Sequence, residues 1–197
     1  MDVAKERYSA ALCLASIWML ATLGASNATA FTVESMEIDH TGDTYAVAFE
    51  VTVAADSVKA RNILTNYAKW PSLSDNIIES RLVDVLPSGT ERISVTFRSC
   101  IIASLFCKVI RQVKDLDRLP DGNSYITTLV PGQADFASGS ERWQIQAEGK
   151  DKTRLRYDAT LVLAFRVPPL IGPWLLKRAL RRELIGTANK LEQLVAH

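Results

Sequence analysis

Two periodicities divide the chain. Over residues 174–196, Leu176, Leu180, Leu184, Ala188, Leu191 and Val195 recur at three-and-four spacing, which places them on one face of a helix. Lys177, Arg178, Arg181, Arg182 and Lys190 fall mostly on the other side. Pro173 suits a first helical turn and Pro168-Pro169 imposes an extended approach, so this helix is expected to start abruptly. Upstream the period is two. Over 45–53, Tyr45, Val47, Phe49, Val51 and Val53 share one face while Ala46, Ala48, Glu50 and Thr52 share the other, the pattern of a strand buried on one side. A weaker alternation over 31–39 precedes it across the turn His40-Thr41-Gly42-Asp43. Asp56 is placed to cap a helix with Val58, Ala60, Ile63, Leu64 and Tyr67 as its apolar positions, broken at Trp70-Pro71-Ser72-Leu73.

After Asn76 the pattern is of strands punctuated by turns, at about 77–86, 91–99, 107–115, 124–130, 139–147 and 153–166. Short connections imply an antiparallel meander, so successive turns must alternate between the two ends of the sheet. One end collects Pro87-Ser88-Gly89-Thr90, 117–123 and Glu148-Gly149-Lys150-Asp151-Lys152, all polar. The other collects 100–107 with Ile101, Ile102, Leu105 and Phe106, then 131–139 with Phe136 at its centre, then 167–174 with Leu170, Ile171 and Trp174. An apolar end of this kind marks a ligand mouth, a partner or a membrane surface, or else tips that pack on one another.

Composition narrows the classes. At 197 residues, 48% hydrophobic and 23% charged, the chain suits one well-cored domain. Residues 8–25 carry no charge and lead to Ala28-Thr29-Ala30, a small-x-small site, so 1–30 reads as a secretory leader cut before Phe31; Asp2 and Glu6 offset Lys5 and Arg7, which leaves an uncut membrane anchor as the alternative. Net charge is +1 with or without the leader, and no basic excess argues for nucleic acid. Without the leader two cysteines remain, Cys100 and Cys107, flanking a hairpin tip. In an exported chain an even, closely spaced pair reads as a disulfide, against two buried thiols as the alternative.

The order strand, helix, six-strand meander, long terminal helix resembles the START-like, or SRPBCC, superfamily with its α+β helix-grip fold, in particular the polyketide cyclase/dehydrase and coenzyme Q-binding branch. The residues that carry the likeness are Asp56-Ser57-Val58 through Leu64, Tyr67, Trp70-Pro71, Leu73, Ile77, Ser80 and the closing Pro168-Pro169 with its helix. It spans roughly 45–196 within an expected domain of 31–197. The resemblance implies a curved antiparallel sheet around the terminal helix, with an apolar ligand cavity between them. Trp70, Phe97, Phe136, Trp143, Tyr157, Leu180 and Leu184 are then the candidate ligand contacts. Ile101, Ile102, Leu105, Phe106, Leu170, Ile171, Trp174, Lys177 and Arg178 are the candidate membrane-facing residues.

Evidence for catalysis is thin. The two histidines are His40, in a turn, and His197, at the end of the sequence. No nucleophile-base order, metal-ligand spacing or phosphate loop is present, so no cofactor or metal is expected. Arg98, Arg111 or Tyr125 could polarise a carbonyl if buried, although a solvated sheet face is the expected place for all three. The sequence therefore favours a periplasmic binder or carrier of a lipid, quinone or polyketide-like compound, with a membrane surface as a candidate partner, over a polyketide cyclase or dehydratase. An acid or arginine inside the cavity would favour the enzyme.

Overall fold

The computed structural model describes residues 31–100, 107–164 and 170–196. The leader region 1–30, the apolar tip with Ile101, Ile102, Leu105 and Phe106, and the Pro168-Pro169 approach lie outside them. The period-two stretch forms β2 (Thr44–Val53), and Tyr45, Val47, Phe49, Val51 and Val53 are all buried. It pairs with β1 (Thr32–Thr41) across a tight turn in which Gly42, at φ 59°, supplies the left-handed conformation. Asp56 caps α1 (Ser57–Leu64) by accepting a 2.9 Å hydrogen bond from the Lys59 N–H.

The expected first helix is shorter than its apolar pattern. It stops at Leu64, Tyr67 opens a separate 3-10 turn (Tyr67–Lys69), and Trp70 begins a four-residue helix, α2 (Trp70–Leu73), with proline in its first turn. Val58, expected to be buried, is 52% exposed. On a two-turn helix Ala60, Ile63 and Leu64 already define the inner face, and Val58 projects from the opposite side.

The remaining strands are β3 (Ile77–Val85), β4 (Glu91–Cys100), β5 (Cys107–Arg118), β6 (Ser124–Ala134), β7 (Phe136–Ala147) and β8 (Thr153–Leu163). They form an antiparallel sheet in the order β1-β2-β8-β7-β6-β5-β4-β3, with the helical segment of 57–73 carrying the chain from β2 to the far edge. The two edge strands both contain register irregularities, between Val33 and Ser35 and at two points in β3, which bend them away from regular edge pairing. The Cys100–Cys107 disulfide closes the β4–β5 hairpin.

One expected loop is absent. Residues 131–139 are almost wholly strand, with only Asp135 between β6 and β7. Pro131 and Gly132, at φ 73°, are accommodated by a bulge, because Lys114 pairs with Leu129 while Gln112 pairs with Ala134. Asp135 then ties the hairpin to β5 by accepting the Arg111 N–H at 2.9 Å.

The terminal helix α3 (Gly172–Ala196) lies against the inner face of the sheet. Leu184, Ala188, Leu191 and Val195 are buried, whereas Leu176 and Leu180 are half-buried. Its far end is fixed to the start of α1 by Glu192 accepting the Ala54 N–H at 2.8 Å and by Lys59 Nζ donating to the Val195 carbonyl at 3.3 Å. No helix among the described residues is long and apolar enough to cross a membrane. Leu191 is completely buried, so Leu191→Ala is expected to lower the unfolding free energy by about 2–5 kcal/mol, read as a lower urea midpoint at unchanged slope.

Candidate functional site: a cavity between the sheet and the terminal helix

Side chains on the inner face form rungs across the strands. Phe49, Tyr157, Trp143 and Tyr125 are successive cross-strand partners from β2 to β6. The Trp143 ring centroid lies 4.7 Å from that of Tyr157 and 6.4 Å from that of Tyr125. Two residues closer to the β4–β5 tip, the next rung holds Val47, Ala159, Glu141 and Thr127. Glu141 is bound on both oxygens: Lys114 Nζ donates to Oε1 at 2.6 Å and Thr127 Oγ1 donates to Oε2 at 3.0 Å. The lysine and glutamate side chains are only 8% and 15% exposed. The next rung contains Tyr45, Leu161 and Gly139. A Cβ on Gly139 would approach Leu129 Cδ1 to 2.7 Å and Leu161 Cδ2 to 2.9 Å, so the glycine lets those leucines close over the strand.

Between these rungs and α3 lies a cavity of about 660 Å³, within the range of sites that enclose small ligands. Its wall is mainly aliphatic and aromatic, with Gln112, Lys114 and Glu141 among the polar exceptions. Trp70 is oriented towards it by an Nε1 hydrogen bond of 2.8 Å to the Leu64 carbonyl, which also caps the end of α1. At the rim, Asn76 donates to Glu183 at 2.6 Å and Lys190 pairs with Asp75 at 3.4 Å, linking the α2–β3 connection to α3.

All seven sequence candidates, Trp70, Phe97, Phe136, Trp143, Tyr157, Leu180 and Leu184, border this one cavity. Phe136 does so from the first position of β7 rather than from a loop. Arg98 and Arg111 are exposed as expected, but Tyr125 is not on a solvated face: it is 2% exposed and lines the cavity. Its neighbours on β6, Ser124 and Thr127, are also buried, so this end of the strand is covered on both sides. Burial first, and the Glu141 charge second, push the Tyr125 and Tyr157 phenols well above their ordinary range, so both remain protonated donors at neutral pH.

Sequence reading missed Gln112, Lys114 and Glu141. The signal available was positional: Ile110, Gln112, Lys114 and Leu116 share one face of β5, and Glu141 shares a face with Trp143 and Ile145. Among the described residues no three His, Cys, Asp or Glu side chains converge as a metal site. Of the surface candidates, Leu170 is 94% exposed, Ile171 53% and Trp174 59%. Arg178 lies 5.5 Å from the Trp174 ring centroid, and Lys177 is half-buried beside it.

The order of strands, the sheet and the gripped helix define a START-like, helix-grip fold. Solved structures with this fold include a START superfamily protein from Mycobacterium smegmatis, 21% identical, with a TM-score of 0.61 over 77% of this chain and 97% of the other. The Zhui aromatase/cyclase from Streptomyces is 13% identical, with a TM-score of 0.62 over 78% of this chain and 94% of its own. Human STARD10 is 10% identical, with a TM-score of 0.52 over 80% and 73%. No family model matches the sequence, and neither does any curated protein.

Lys114 and Glu141 stabilise one another where neither is well hydrated. Lys114→Met is expected to cost about 2–4 kcal/mol by leaving the Glu141 carboxylate unpaired, and adding Glu141→Leu is expected to recover most of it. Urea denaturation of the single and double variants reads both effects.

Proposed function

We propose that the protein binds and carries a hydrophobic small molecule, a lipid, quinone or polyketide-like compound, between the sheet and α3. The observation that carries this reading is the cavity of about 660 Å³, walled mainly by apolar side chains and continuous with a half-buried stretch of α3. Burial of an apolar guest there stabilises the complex by roughly 25 cal/mol for each Å² removed from water. Native mass spectrometry of the purified protein, followed by organic extraction, is expected to show a reproducible adduct that extraction removes. A protein that is consistently empty overturns carriage.

A second reading, a polyketide cyclase or dehydratase, is favoured by one observation: the Glu141 carboxylate lies in the cavity wall beside protonated phenols. The aromatase/cyclase of similar fold is consistent with it.

The carrier reading extends to place and surface. The leader-like residues 1–30 and the Cys100–Cys107 disulfide support export to an oxidising compartment such as the periplasm. Exposed Leu170, Ile171 and Trp174 beside Lys177 and Arg178 support docking on an anionic membrane surface. The protein is expected to float with vesicles containing phosphatidylglycerol and less with phosphatidylcholine alone, and Lys177→Glu with Arg178→Glu is expected to abolish the difference. Absence of flotation with either vesicle overturns the membrane part alone.

A further inference from the structure

The polar groups in the cavity have a composition of their own. Lys114 has three N–H donors and spends one on Glu141, while Thr127 occupies the other carboxylate oxygen. Gln112 is 3% exposed and Tyr125 2%, and both line the cavity, as does Tyr157. Their side chains bring an amide and two phenols to the cavity wall. Tyr45, whose buried hydroxyl is unpaired among the described residues, also borders the cavity. Buried polar groups are ordinarily satisfied, so spare lysine donors and a group of polar side chains gathered on an otherwise apolar wall indicate what the cavity is shaped to receive.

Donors exceed acceptors in this set, yet its charge is balanced. We propose that Lys114, Glu141, Gln112, Tyr125 and Tyr157 form a subsite for the uncharged, oxygen-bearing end of an otherwise apolar ligand: a ketone, a quinone carbonyl or a hydroxyl. A carbonyl oxygen needs only donors, and the spare lysine N–H groups, the glutamine amide and the phenols supply them. A hydroxyl could in addition donate to the Gln112 oxygen. A carboxylate would lose its hydration without meeting an unneutralised cation, because Lys114 is already paired at 2.6 Å, and it would lie beside the Glu141 charge. An ammonium would find Glu141 already bound on both oxygens. Ionic groups are better served at the rim, where Arg98 and Arg182 are exposed.

This subsite rests on the carrier reading, and matched probes separate the two. Acetylnaphthalene, isopropylnaphthalene and naphthoate share one apolar body and differ in end group. Their affinities follow from displacement of N-phenylnaphthylamine from the full chain. The ketone is expected to bind about tenfold more tightly than the hydrocarbon, the value of one hydrogen bond to a charged donor, and naphthoate more weakly than the ketone. Gln112→Leu and the pair Lys114→Met with Glu141→Leu are each expected to bring the ketone-to-hydrocarbon ratio close to one. Equal binding of ketone and hydrocarbon, tighter binding of naphthoate, or a ketone preference that survives in both variants overturns the subsite and leaves the apolar cavity standing. Failure of all three probes to bind overturns the cavity reading with it.

Discussion

The structure depends on how one helix is held by one sheet. Over its C-terminal half, α3 packs tightly, with Leu184, Ala188, Leu191 and Val195 buried against the sheet and α1. Over its N-terminal half, Leu176 and Leu180 are only half-buried and face the cavity. The apolar core is accordingly divided into a large cluster and a smaller one around Tyr45, Ile110 and Phe136, with Phe97 and Leu180 packed against both. Tight packing at one end of a helix supplies the stability that allows looser packing at the other.

The cavity wall is not uniformly apolar. A void lined only by aliphatic groups would accept hydrocarbons with little preference. Here a buried ion pair interrupts the apolar wall, and Thr127 backs it from behind. Such a pair adds little net stability compared with apolar residues of the same volume, so packing energy alone does not account for it. The aromatic rung of Tyr125, Trp143 and Tyr157 supplies flat area next to it, which joins shape and polarity in one wall.

The meander's parity links this interior to the surface. Antiparallel pairing places the β4–β5 and β6–β7 connections and the start of α3 at one end of the sheet. The β1–β2 turn belongs there too, since the Leu163 N–H donates to the Asp43 carbonyl at 3.0 Å. The loosely packed half of α3 therefore begins at the same end as exposed Leu170, Ile171 and Trp174, so interior and surface features share one region. At the opposite end, Asp121 is held below its ordinary carboxylate range by hydrogen bonds from Ser124 and the Asn123 backbone, as befits a solvent turn.

By itself the sequence determined the elements whose periodicity was long enough to read. The alternation of β2, the three-and-four spacing of α3 and the Asp56 cap are local properties, because each follows from side-chain spacing on a single segment. The seven apolar candidates followed once a helix-grip arrangement was in view, because large aromatic and aliphatic side chains on inner faces converge on its centre. Only the tertiary structure decided the early end of α1, the extension of β6 and β7 through Pro131 and Gly132, and the burial of Tyr125. It also decided the polar cluster in the cavity wall. Lys114, Thr127 and Glu141 lie on three different strands, and a charged residue on a strand normally signals a solvent face. Strand pairing and the bulge beside Lys114 set them together, and no spacing within one segment encodes that meeting.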